Sequence, residues 1–148
     1  MFIPDITVLV PHAKPMLLVD KLVRADQNSL CSEVTIGKYT LFCHEDGVDA
    51  WIGIEYMAQT VAAHAGFLAH RKNEPVRIGF LLGTRHYQCQ VNIFPFGATL
   101  QIQVERQYLS EDGLGSYECR IFAQDQELAH AILTVYQTSE AQPQTREL

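Results

Sequence analysis

The chain is short of cations: 11 Lys and Arg stand against 17 Asp and Glu in 148 residues, a formal net charge of -6. Affinity for a phosphate backbone depends mostly on clustered Lys and Arg, so this balance argues against a nucleic-acid binder. It leaves room for a local basic patch that docks an acidic partner. Cysteine is sparse as well. Cys31, Cys43, Cys89 and Cys119 form no C-x-x-C pair and have no paired His spacing, which argues against a metal site and for reduced thiols in a cytoplasmic protein. No run approaches the roughly 20 apolar residues that span a bilayer. The N-terminal stretch M-F-I-P-D-I-T-V-L-V-P-H lacks a basic leader and is broken by Pro4, Asp5 and Pro11, so neither a signal peptide nor an anchor is expected.

Proline is also absent between Asp49 and Lys72, and there the one long helical pattern lies. Ile54, Met57, Ala58, Val61, Ala65 and Leu68 recur at spacings of three and four, the period of an apolar helical face. Asp49 is placed to cap the first turn, His70, Arg71 and Lys72 suit the negative end of the dipole, and Pro75 marks the stop. Glu55 is out of place among apolar neighbours. Gln59, Ala62 and Gly66 share its side, and small residues there let a backbone or a thin ligand come close. The plainer alternative is a solvated glutamate on a helix surface.

The rest alternates. Met16–Asp26 begins as a continuous apolar run, Asp26-Gln27-Asn28-Ser29 turns the chain, and Leu30, Ser32, Val34 and Ile36 then alternate with Cys31, Glu33 and Thr35, a plausible hairpin. Gly37–Val48 reads as irregular chain. Val76–Val91 is strand-like, with Gly79 and Gly83 as bulge points. Asn92–Gly97 reads as a loop, after which Leu100, Ile102 and Val104 face one way and Gln101, Gln103 and Glu105 the other. Two further strands follow, and residues 138–148 have the composition of a flexible tail.

With 47% hydrophobic and 19% charged residues the chain fits one globular domain, large enough to bury a core. One long helix amid antiparallel strands points to an α+β hot-dog fold, a curved antiparallel sheet wrapped round a central helix. The edges such a sheet leaves exposed predict pairing into a dimer.

Two motifs then match a family. P-H-A-K-P-M-L-L-V-D at Pro11–Asp20 resembles the P-H-x-x-P-F-L-L-V-D opening of bacterial 3-hydroxyacyl-[acyl-carrier-protein] dehydratases. I-E-Y-M-A-Q at Ile54–Gln59 resembles their L-E-x-M-A-Q. The dehydratases of aryl polyene pigment pathways are the nearest in pattern; they carry G-x-x-P-A-W before the helix, here Gly47-Val48-Asp49-Ala50-Trp51. The resemblance spans about residues 10–137, the expected core of the domain. It implies a hot-dog dimer that removes water from a 3-hydroxyacyl thioester on acyl carrier protein to leave the trans-2-enoyl thioester, with no cofactor. It implies an acyl tunnel at the dimer interface between a histidine and an acidic residue of the partner's central helix.

Glu55 matches that acid, and a carboxylic acid in an apolar pocket can hold and deliver a proton near neutral pH. Two residues compete for the base. The main dehydratase families place their histidine in G-H-F-P-G-x-P-x-x-P-G, fourteen residues before the acid. This chain has F-C-H-E-D-G-V-D-A-W instead, with His44 eleven residues before Glu55. His12 fits the pigment-pathway pattern and is the first candidate; His44 is the second. The amides of Ala50, Trp51 and Ile52 are offered for polarising the thioester carbonyl. Trp51 has the plainer alternative of holding the helix start by packing. Gln59, one turn after Glu55, is placed to orient its carboxyl group. His64, His70, His86 and His130 match no motif and are assigned surface or packing roles. The basic residues His70, Arg71, Lys72, Arg77 and Arg85 form the candidate docking surface for a carrier protein. A hot-dog acyl thioesterase, or a non-catalytic acyl-binding subunit that completes a heterodimer with a related chain, are the alternatives.

Overall fold

The turn at Asp26 folds for a reason visible in four residues: one carboxylate oxygen of Asp26 accepts from the backbone N–H of Asn28 and of Ser29, both at 2.9 Å. This Asx arrangement reverses the chain. It joins β1 (Lys21–Ala25) to β2 (Ser29–Thr35) as an antiparallel hairpin. The computed structural model describes residues 17–75 and 77–141. Leu17–Asp20 lead into β1 without being strand, so the strand begins later than the apolar run suggests.

Two short strands follow, β3 (Cys43–His44) and β4 (Gly47–Asp49), then a 3-10 turn at Ala50–Ile52 and the helix α1 (Gly53–Arg71). Beyond it come β5 (Arg77–Cys89), β6 (Ile93–Pro95), β7 (Thr99–Leu109), β8 (Leu114–Ala123) and β9 (Gln126–Ala141). The large sheet is antiparallel, in the order β1-β2-β7-β8-β9-β5, and α1 packs against β2, β7, β8, β9 and β5. This is the hot-dog arrangement. β5 shifts register against β9 between Arg77 and Gly79 and again between Leu81 and Gly83, where the glycines pointed to bulges.

Three local expectations are corrected. Gly37–Val48 and Asn92–Gly97 are not all loop: β3, β4 and β6 make a second sheet, with Val48 opposite Phe94 and Asp49 opposite Ile93. Gly47 has φ 139° at this contact, and a Cβ there would run into the Phe94 carbonyl. The little sheet fixes where the helix starts. Asp49 precedes the first turn but makes no capping bond; its carboxylate goes instead to His44. Finally, β9 runs on to Ala141, so the first residues of the expected tail are strand. Pairing with β5, which sets Ala141 opposite Arg77, carries the strand past Tyr136, where the β8 ladder ends, and outweighs its polar composition.

The core lies between helix and sheet. Tyr56, Met57, Thr60, Ala63, His64 and Phe67 are buried, facing Leu30, Leu100, Ile102, Ile121 and Leu133. Each fully buried side chain of the size of Met57 or Phe67 contributes about 1.5–3 kcal/mol. Thr60 is satisfied inside this core, donating to the Tyr56 carbonyl at 2.7 Å and accepting from Ser32 Oγ at 2.7 Å. No helix among the described residues is long and apolar enough to cross a membrane.

Candidate functional site

The apolar face of α1 does not all enter the core. Met57 is buried in the core, whereas Ala58, Ala65 and Leu68 are only partly buried and, with the buried Val61 between them, line a groove of about 410 Å³ between α1 and the sheet. A helix enclosed on both sides carries apolar residues on both, and the period alone does not say which side stays open. Ala58, Ala62, Ala65 and Ala69 keep the helix wall low. Gly79, Gly113 and Gly115 do the same for the sheet wall. Glu55 stands at one end and Lys72 with Glu74 at the other. Sixteen residues of helix, about 24 Å, separate Glu55 from Arg71.

Glu55 is half-buried at the groove's start. Gln59, fully buried one turn on, donates from Nε2 to Glu55 Oε1 at 3.0 Å. Its Oε1 accepts from the Leu18 backbone N–H at 2.8 Å. The second bond fixes the amide, since a backbone N–H demands an oxygen, and so the NH₂ must face the carboxylate. Gln59 thus links the helix to the chain segment that ends the Pro11–Asp20 motif.

His12 lies outside the described residues. His44 is exposed on β3, and its Nε2 is 3.0 Å from Asp49 Oδ1. The Ala50 amide, offered for a thioester carbonyl, is already spent on the Asn92 carbonyl at 2.9 Å, and Ala50 is buried. Trp51 does not pack as a staple: 67% of it is exposed. Of the basic cluster, His70, Arg71 and Lys72 are exposed at the helix end away from Glu55, and Arg85 is exposed on β5. Arg77 also belongs to β5.

Two groove residues carry polarity that the motifs did not mark. Tyr117 of β8 and Arg106 of β7 are directly opposed across the strand pair, and both line the groove. The Tyr117 hydroxyl is 2.7 Å from Nδ1 of His64, which is fully buried, and His64 Nε2 is 3.0 Å from the Asp26 carbonyl. Burial pushes the His64 pKa below its ordinary value and that of the Tyr117 hydroxyl up to about 12. The sequence does hold a signal for Arg106. It continues the inward series Leu100, Ile102, Val104, where the period calls for an apolar residue.

The sequence pattern of ApeP-like dehydratases matches residues 4–146. No curated relative matches at a significant level. Among solved structures, the dehydratase heterocomplex ApeI:P from Xenorhabdus doucetiae superposes with a TM-score of 0.87 at 28% identity, covering 94% of each chain. A hypothetical thioesterase with coenzyme A from Streptococcus pneumoniae TIGR4 has a TM-score of 0.65 at 10% identity over 82% of this chain and 88% of that one. The PaaI protein of the phenylacetic acid degradation operon of E. coli has 0.61 at 12% identity over 78% and 80%. The last two likenesses reach no further than the fold. A profile that spans nearly the whole chain, including both motifs, identifies it more narrowly: this chain belongs to the ApeP-like dehydratase family.

Proposed function

We propose that this dehydratase acts on a 3-hydroxyacyl thioester carried by acyl carrier protein, in aryl polyene biosynthesis, with Glu55 as proton donor. The base, for which His12 is the first candidate and His44 the second, takes the C2 proton. The C2–H electron pair becomes the C2=C3 double bond as the C3–O bond breaks. Glu55 gives its proton to the departing oxygen, which leaves as water, and the product is the trans-2-enoyl thioester. Proton exchange with solvent resets both groups.

The observation that carries this reading is the position of Glu55, the carboxylate at the start of an apolar groove suited to a thin acyl chain. The engagement of His44 with Asp49 supports keeping His12 as the first candidate. An acyl tail running down the groove leaves its thioester on the Glu55 side. The carrier protein then docks there, away from His70, Arg71 and Lys72.

The similar solved structure is a heterocomplex, which favours an active form paired with a related subunit over a homodimer. The test incubates the protein, alone and co-expressed with such a subunit, with 3-hydroxyacyl and enoyl carrier-protein thioesters. Interconversion of the two, lost in Glu55→Gln, is the expected result. Release of free carrier thiol without interconversion would make it a thioesterase and sink the proposal. Turnover of the complex that survives Glu55→Gln would assign this chain a non-catalytic place.

A further inference from the structure

The sheet wall of the groove carries a cation where an acyl chain offers nothing to pair with it. Leu100, Ile102, Val104 and Arg106 are alternate residues of β7; the first three are core, and the fourth lines the groove. Just past Arg106 the register slips, with Arg106 opposite Tyr117 but Tyr108 opposite Ser116, so Gln107 is an extra, bulged residue. Bulges re-aim neighbouring side chains. No ion pair of Arg106 is present among the described residues.

The neighbour of Arg106 is held in one orientation. A carbonyl oxygen only accepts, so His64 Nε2 carries the hydrogen toward Asp26, and in the neutral ring Nδ1 is then an acceptor. The Tyr117 hydroxyl must donate to it. That leaves the phenolic oxygen's lone pairs for Arg106, whose charge works against the rise that burial gives the Tyr117 hydroxyl. A guanidinium has five donors, and one phenol cannot use them all. Facing plain methylenes, the remainder would lose water and gain no partner.

We propose that Arg106, set against Tyr117, is a specificity-determining residue that receives a hydrogen-bond-accepting oxygen on the distal part of the acyl group. Its place along the groove follows from His64, which is nine residues beyond Glu55, about 13 Å along the helix axis. An extended chain advances about 1.2 Å per bond, so the oxygen sits roughly eleven bonds from the reacting carbons. This inference rests on the dehydratase reading, with Glu55 marking the reacting end.

The test uses the protein as isolated, with its partner subunit where one co-purifies. Two carrier-bound 3-hydroxyacyl thioesters of equal length are compared, one ending in a methyl group and one in a hydroxyl about eleven bonds from C3. Arg106→Leu should lower the hydroxyl-to-methyl ratio of kcat/KM by about ten- to hundredfold, mainly through KM, as loss of a charged hydrogen bond implies. Arg106→Lys should restore part of it. An unchanged ratio overturns the proposal, and so does loss of the subunit complex in Arg106→Leu, which would give Arg106 to a carboxylate of the partner. Should neither thioester turn over, the dehydratase reading fails on its own terms. The free acids then decide by calorimetry: selective binding of the hydroxyl-ended acid, lost in Arg106→Leu, supports the proposal, and equal or absent binding of both overturns it.

Discussion

Glu55 and Gln59 are joined by a 3.0 Å hydrogen bond one helical turn apart, and the same Gln59 amide holds the backbone of Leu18, 41 residues earlier in the chain. One buried side chain therefore orients the carboxyl group and ties down the end of the N-terminal motif. Gln59→Leu leaves the Leu18 N–H without its acceptor, at a cost of about 1–3 kcal/mol. Thermal unfolding should fall accordingly, and kcat should fall with it because Glu55 loses its orienting donor. Full activity at a lowered melting temperature would separate the two roles and refute the catalytic half.

The low helix wall makes the groove's length adjustable. Ala65→Leu places an isopropyl group in the channel beyond Glu55, at a half-exposed site where the cost in stability should stay within about 0.5 kcal/mol. Long acyl thioesters should lose about tenfold or more in kcat/KM relative to short ones. A uniform effect on all chain lengths would show that the tail does not run along α1.

Acid should weaken the fold through His64. Its folded pKa lies below the ordinary value of 6.5 because burial disfavours the charged ring. Above pH 6.5 both folded and unfolded states hold it neutral. As pH falls through 6.5 the unfolded chain takes a proton that the folded one refuses, so stability drops until the folded pKa is reached, by at most about 1.4 kcal/mol per pH unit. Melting temperatures at pH 7.5 and 5.5 should differ less in His64→Gln than in the native protein. Equal differences would place the acid sensitivity elsewhere.

Gly53 opens the helix against three side chains. A Cβ there would collide with the Tyr87 hydroxyl and lie 3.0 Å from both Phe94 Cζ and Ile121 Cδ1. The Tyr87 hydroxyl donates to the Ala50 carbonyl and so secures the turn before the helix. Alanine gains about 0.5–1 kcal/mol of helix preference, but overpacking here costs about 1–3 kcal/mol, and the second effect should win. Gly53→Ala should lower the melting temperature by several degrees; a rise would show that Tyr87 can move aside at no cost.

What the sequence determined by itself was whatever depends on neighbours in the chain. Alternation along Leu100–Glu105 marks a strand with one face inward, Asp26 with Ser29 makes a turn from its own side chain, and the glycines at 79 and 83 sit at bulges in β5. The helix lies within the limits that Asp49 and Pro75 suggested, and Glu55 stands out because a charge among apolar neighbours needs a reason. β3, β4 and β6 escaped because strands of two or three residues carry no period, and only their pairing makes them strands. Asp49 looked like a cap until β3 brought His44 within 3.0 Å. The open side of the helix, the bond from Gln59 to Leu18, and the meeting of His64, Tyr117 and Arg106 were decided by tertiary structure alone. Each joins segments far apart in the chain, and the energy that selects such contacts comes from burial, which exists only once the sheet has closed over the helix.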